Sequence, residues 1–192
     1  MRIIEAAIKS FAKNGLEKTT YTLLARECKI SRPLIHHYFP EMTDLFALAA
    51  RYVRQTLLQC AVSAMKKASG EPDAQLRAYI RGCFNWIRDY QEQNSFWLLY
   101  FYQASLKGAA REENTALVKA GHERIQNLIN EGNEAGLWNS KSPVEDSKTI
   151  QVALTGALVS CMTEDGFLTT NRSESLMMNL VFRDILTASR TR

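Results

Sequence analysis

Between Thr20 and Tyr38 the chain gathers hydroxyls, two guanidiniums, two imidazoles and two phenols, groups suited to phosphate oxygens and base-pair edges. Arg32 carries the forked donor geometry that matches guanine O6 and N7, and Leu34 can cover a thymine methyl. His36, His37 and Tyr38 can hydrogen-bond phosphates, as can the Thr20 and Thr22 hydroxyls together with unpaired N–H groups at helix N-termini. Ser31 and Pro33 complete the candidate DNA-contacting set. Ser31 starts the helix that carries Arg32, and Pro33 sits in its first turn, where a missing N–H does no harm. No metal is expected at His36 and His37, because adjacent side chains diverge on a helix.

Short helices must position these groups. Ile4, Ala7, Ile8, Phe11 and Ala12 recur at helical spacing and predict a first helix from Arg2 to Asn14, closed by Gly15. Thr20 caps a second, Tyr21 to Cys28, with Leu24, Ala25 and Cys28 inward, and Ser31 caps a third. Only Lys29 and Ile30 lie between them, so the two helices cross sharply around a small core, the spacing of a helix-turn-helix. Ile35 and Phe39 point into that core and turn Arg32, Pro33, Leu34, His36 and His37 outward. Asp44 is expected to cap a long fourth helix that Gly70-Glu71-Pro72 ends. A fifth runs from Asp73 to Gln91, and Gln93-Asn94-Ser95 separates it from a sixth, Phe96 to Leu106. Three more are expected over Glu112–Glu134, Glu145–Thr163 and Ser173–Ser189, with turns at Gly136 to Pro143 and Asp165 to Arg172.

The ordered run Phe11-Ala12-Lys13-Asn14-Gly15, Thr20, Leu24-Ala25, Ile30-Ser31 and Leu34-Ile35-His36-His37-Tyr38-Phe39-Pro40 through Leu45 resembles the N-terminal signature of TetR-family transcriptional regulators. The resemblance implies an all-α, nine-helix architecture: a helix-turn-helix DNA-binding domain over residues 1–45 and a helical effector-binding and dimerisation domain over residues 46–192. It further implies a homodimer on double-stranded operator DNA, a repressor released by a small-molecule effector. Three departures stand out. Lys29 occupies the turn position where the family has glycine, at a cost of about 1 kcal/mol if the residue is left-handed. Met42 replaces a lysine that meets a phosphate, and His36 replaces a tyrosine. Little chain precedes the first helix to serve as a minor-groove arm.

Charge and composition agree with this reading. Of 24 Lys/Arg and 20 Asp/Glu, residues 1–55 hold nine and five, which leaves fifteen of each for the remainder. The whole positive excess therefore lies in the candidate polyanion-binding quarter. A hydrophobic content of 46% excludes a disordered chain. No apolar run reaches the roughly 18–20 residues of a membrane span. The amphipathic start Met1 to Glu5 lacks the apolar stretch of a secretory signal, so a cytoplasmic protein is expected. Cys28, Cys60, Cys83 and Cys161 form no C-x-x-C pair and read as reduced thiols.

The middle of the chain is crowded with aromatics, among them Phe84, Trp86, Trp97, Tyr100 and Phe101, more than one helical stripe can bury. The resemblance implies an effector pocket there, with Asn85, Gln103 and His122 as polar candidates. The eighth and ninth helices carry broad apolar faces, and Leu154, Ala157, Leu158, Cys161, Leu176, Leu180 and Val181 are the candidate dimer seam. The competing class is a small helical enzyme or metabolite carrier with an incidentally basic N-terminus. Against it, the chain shows no G-x-S-x-G, no metal-ligand spacing and no phosphate-binding glycine loop, so neither catalysis, cofactor nor metal is expected.

Overall fold

The computed structural model describes residues 2–106, 108–163 and 168–187. Among them are nine α-helices and no β-strand: α1 (Arg2–Lys18), α2 (Tyr21–Cys28), α3 (Arg32–Tyr38), α4 (Met42–Lys67), α5 (Pro72–Asp89), α6 (Gln91–Ser105), α7 (Ala109–Glu134), α8 (Pro143–Thr163) and α9 (Thr170–Asn179). A π-helical turn, Leu180–Ile185, follows α9.

Several boundaries differ from the expected ones. Gly15 leaves the helical conformation at φ 73°, but one more turn follows it to Lys18. Asp44 does not cap α4; it lies in the first turn of a helix already begun at Met42, where its carboxylate still complements the helix dipole. The break between α5 and α6 is the single residue Tyr90, and Gln93, Asn94 and Ser95 are helical. Thr169 caps α9 by accepting a hydrogen bond from the Arg172 amide at 3.3 Å, so this helix starts before Ser173. Ala188 and Ser189 at its expected end, and Asp165-Gly166 in the expected turn, lie outside the described residues.

The chain divides into two compact units. The first comprises residues 1–56 and 90–112, the second residues 57–89 and 113–192. The expected boundary after residue 45 thus falls inside the first unit, and the reason is a shared aromatic core. Phe11 of α1, Phe46 of α4 and Phe96 of α6 meet with ring centroids 5.0 to 6.1 Å apart. Burying three such rings yields several kcal/mol, and α6 packs along α1 to do it. Ala7, Ile8, Leu24, Ile35, Leu45, Ala49 and Val53 fill the rest of this core.

In the second unit α5 packs on α8 and α9, and α8 on α9. Leu76, Ile80 and Phe84 of α5, Ile125 and Ile129 of α7, and Ile150 and Leu154 of α8 are almost wholly buried. After α7 the chain turns at Gly136, φ 70°, and folds back. Trp138 is 3% exposed and donates its indole N–H to the Ile129 carbonyl at 2.9 Å.

Candidate nucleic-acid interface

The helix-turn-helix is built from local capping chemistry. The Thr20 hydroxyl accepts from the Leu23 amide at 3.2 Å, and the Ser31 hydroxyl accepts from the Leu34 amide at 3.4 Å. Between them Lys29 is left-handed, φ 55° and ψ 45°. The Ile30 amide donates to the Ala25 carbonyl at 3.0 Å and the Lys29 amide to the Arg26 carbonyl at 3.3 Å, which closes α2 and turns the chain. Ile35 is fully buried beneath α3 and Phe39 half-buried.

All nine candidate contact residues, Thr20, Thr22, Ser31, Arg32, Pro33, Leu34, His36, His37 and Tyr38, are exposed on one continuous stretch of α2, the turn and α3. Leu34 at 41% and Tyr38 at 63% exposure are large apolar or aromatic groups held in water. Neither α2 nor α3 has a carboxylate in its first turn, whereas α4, α5, α7 and α8 each do. The positive ends of α2 and α3 are thus left uncompensated and suit an anion. Thr19, Thr20, Tyr21, Thr22, Arg32 and Met42 line an open cleft of about 410 Å³ at the start of α2.

Tyr21 is a positioning residue of this surface that the spacing of the motif did not single out. Its hydroxyl donates toward the Phe39 carbonyl at 2.8 Å and the Pro40 carbonyl at 3.1 Å, and its ring stacks on His36 at 5.3 Å. It therefore ties the start of α2 to the end of α3 and holds His36 in place, by a contact between positions eighteen residues apart that no local spacing announces. Desolvation first, then the Glu41 and Asp44 carboxylates, push its phenol above the ordinary value, so it remains a donor. Tyr21→Phe is expected to cost about 1 kcal/mol. The melting temperature should fall by roughly 2–4 °C; an unchanged melt would show that this tie contributes nothing.

The effector candidates are distributed over both units. Trp97 and Tyr100, both buried, stack at 4.9 Å in the first unit, with Phe101 at 5.4 Å from Trp97 and Gln103 half-buried. Phe84 and Trp86 are fully buried in the second. Asn85 is exposed there and accepts from Arg88 at 2.9 Å, beside the Arg88–Glu174 ion pair. His122 meets the buried Ser147 hydroxyl at 2.9 Å.

Of the candidate seam residues, Leu154, Leu158 and Val181 are at most 9% exposed and belong to the chain's own core. Ala157, Cys161 and Leu180 are half-buried and Leu176 is 43% exposed. No helix of the described residues is long and apolar enough to cross a membrane.

Residues 3–49 match the family of bacterial regulatory proteins, tetR family. The HTH-type transcriptional regulator BetI of Agrobacterium fabrum (strain C58 / ATCC 33970) is 29% identical over 102 residues, 53% of this chain and 49% of that protein. BetI of Burkholderia mallei (strain NCTC 10229) is 27% identical over 103 residues, 54% of this chain and 53% of its own length. The chain thus spans about half the length of the curated relatives it matches. Two solved structures share its fold over nearly their full length. One, from Saccharomonospora viridis and described as a transcriptional regulator in complex with choline, has a TM-score of 0.86 at 17% identity, covering 97% of this chain and 96% of that one. The other, AibR in complex with isovaleryl coenzyme A and operator DNA, has a TM-score of 0.72 at 18% identity, covering 94% and 96%.

Proposed function

That the chain belongs to the TetR family of bacterial regulatory proteins is the premise from which we propose that it is a cytoplasmic, homodimeric regulator, a repressor that binds operator DNA and leaves it on binding a small-molecule effector. The observation that carries this reading is the exposed first turn of α3: Arg32 and Leu34 stand in water beside the acid-free N-termini of α2 and α3. A solvated surface turn gains nothing from an exposed leucine, but a thymine methyl gives it a partner. Two such turns, related by the dimer axis, would enter major-groove half-sites roughly 34–36 Å apart.

The effector must prefer one spacing of the reading heads over the other by about 10²–10⁴ in affinity, roughly 3–5.5 kcal/mol, to act as a switch. Choline and isovaleryl coenzyme A, held by the two similar structures, suggest a small organic molecule. Mobility shift on the DNA adjoining the chain's own gene, at two salt concentrations, tests the regulatory reading. Specific retention that weakens steeply with salt is expected, and equal affinity for random DNA would overturn it.

For the seam, Ala153, Ala157, Leu168, Leu176 and Leu180 line an apolar cleft of about 410 Å³ along α8, α9 and the π-helical turn. Leu180→Arg is expected to yield monomers in sedimentation. Operator affinity should then fall about a hundredfold or more, because joining two reading heads is worth about 10²–10⁴. A dimer that survives the substitution would remove Leu180 from the seam.

A further inference from the structure

Arg124 differs from the other half-buried arginines of the second unit. Arg77 pairs with Asp73 at 2.8 Å and Arg88 with Glu174. Arg124 lies on α7, where positions three and four residues away are Ala120, Gly121, Asn127 and Leu128, so its own helix supplies no carboxylate. Among the described residues no carboxylate from another helix pairs with it either. It lies instead over the Tyr79 ring, 5.6 Å from the centroid, donates a hydrogen bond to the Tyr79 hydroxyl oxygen, which keeps its own proton to donate onward, and faces the Cys83 thiol one turn along α5.

Both of those partners are neutral. Burial pushes the Tyr79 phenol up to about 12, with Cys83 adding to the rise and Arg124 opposing it. Burial likewise pushes the Cys83 thiol up to about 12, again with Arg124 opposing. A guanidinium cannot shed its proton in response to burial, so it remains a cation facing two neutral groups on apolar helix faces that include Leu76, Ile80, Ile125 and Leu128. Partial exposure leaves it reachable.

We propose that Arg124, with the Tyr79 hydroxyl as a second donor, binds the anionic oxygen group, carboxylate or phosphate, of an otherwise apolar small molecule. The proposal rests on the regulatory reading only in calling that molecule the effector. A guanidinium fork receives two oxygens of such a group in parallel hydrogen bonds, and a protonated phenol beside it adds a third.

Thermal melts and titrations of the full chain at constant ionic strength test it, using butanoate through decanoate, hexyl phosphate, hexanamide and hexyltrimethylammonium as probes. At least one carboxylate or the phosphate ester should raise the melting temperature, and the amide and the cation should not. Which of the two anions acts identifies the group. Arg124→Gln should bind the active anion about tenfold to a hundredfold more weakly, the range a charge-assisted hydrogen bond controls. Its own melting temperature should fall by at most about 2–4 °C, since one hydrogen bond and one ring contact to the neutral Tyr79 are lost. If Arg124→Gln fails to fold, Arg124→Lys, which keeps the charge and loses the fork, should bind the same anion more weakly than the wild type.

Silence with every anion, an equal response to hexanamide, a response to the cation alone, or undiminished binding by the variants would overturn the site. Operator retention measured on the same preparation separates the two readings. An anion response without operator binding would sink the regulatory reading and leave the site standing; operator binding without an anion response would do the reverse.

Discussion

Gly132→Ala is expected to cost about 3 kcal/mol of stability and to lower the melting temperature by roughly 6–12 °C. A Cβ at this position of α7 would lie 2.0 Å from Trp138 Cζ2 and 2.1 Å from Cε2. The obstacle is a rigid bicyclic ring, 3% exposed, held by its N–H to the Ile129 carbonyl at 2.9 Å and tilted against Phe182 at 6.4 Å. The ring can retreat only by giving up that buried hydrogen bond, about 1–3 kcal/mol, while overpacking adds about 1–3 kcal/mol. Alanine's better helix propensity returns at most about 1 kcal/mol, so the loss wins. In the Trp138→Phe background the smaller ring leaves room for the methyl group, and Gly132→Ala should cost much less there, a coupling that a double-mutant cycle measures. A single Gly132→Ala variant that melts with the wild type would mean that Trp138 is not seated on α7.

Trp138 also shows where reading the chain from its residues stops working. Next to Gly136, in a segment with Asn139, Ser140 and Pro143, it has the company of a turn residue, and only the fold-back onto α7 makes it core. The helix-turn-helix end is different, because its signals are local. Thr20 and Ser31 sit where side-chain oxygens reach amides three residues on, and Lys29 takes the left-handed turn that two helices so close together demand. The run Gln91-Glu92-Gln93-Asn94-Ser95 is polar enough to suggest a loop, yet α6 begins in it, and Gln93 and Asn94 are buried at 8% exposure. Their burial follows from the inward face of α6, fixed by Phe96 against Phe11, a contact between residues far apart in the chain. The apolar faces of α8 and α9 are broad in the sequence, but periodicity does not distinguish Val181, wholly buried in the chain's own core, from Leu176, left in water. Arg124 and Tyr79 carry no motif at all; only the fold, which lays the long Arg124 side chain of α7 over a ring of α5, brings them together.

Arg32→Ala is expected to weaken operator binding by about 1–3 kcal/mol, to relax preference at one base pair in each half-site, and to change binding to random DNA far less. Two roles compete for this side chain. It lines the cleft at the start of α2 with Thr19, Thr20, Tyr21 and Thr22, where a phosphate would be bound. It also stands in the first turn of α3 behind the Ser31 cap, the end of a recognition helix that meets base edges. The cleft does not need it for a phosphate: the acid-free N-terminus of α2 offers amides, and Thr20 and Thr22 offer hydroxyls. A long exposed guanidinium is therefore free to reach the groove, where its fork gains two bonds to guanine against one shared with a phosphate already satisfied. A phosphate role would produce a similar loss on operator and random DNA and a salt slope lower by about one unit per contact. Titrating wild type and variant against both DNAs at two salt concentrations distinguishes these outcomes, and an equal loss on both would assign Arg32 to the backbone and leave Leu34 as the base-reading group of that turn.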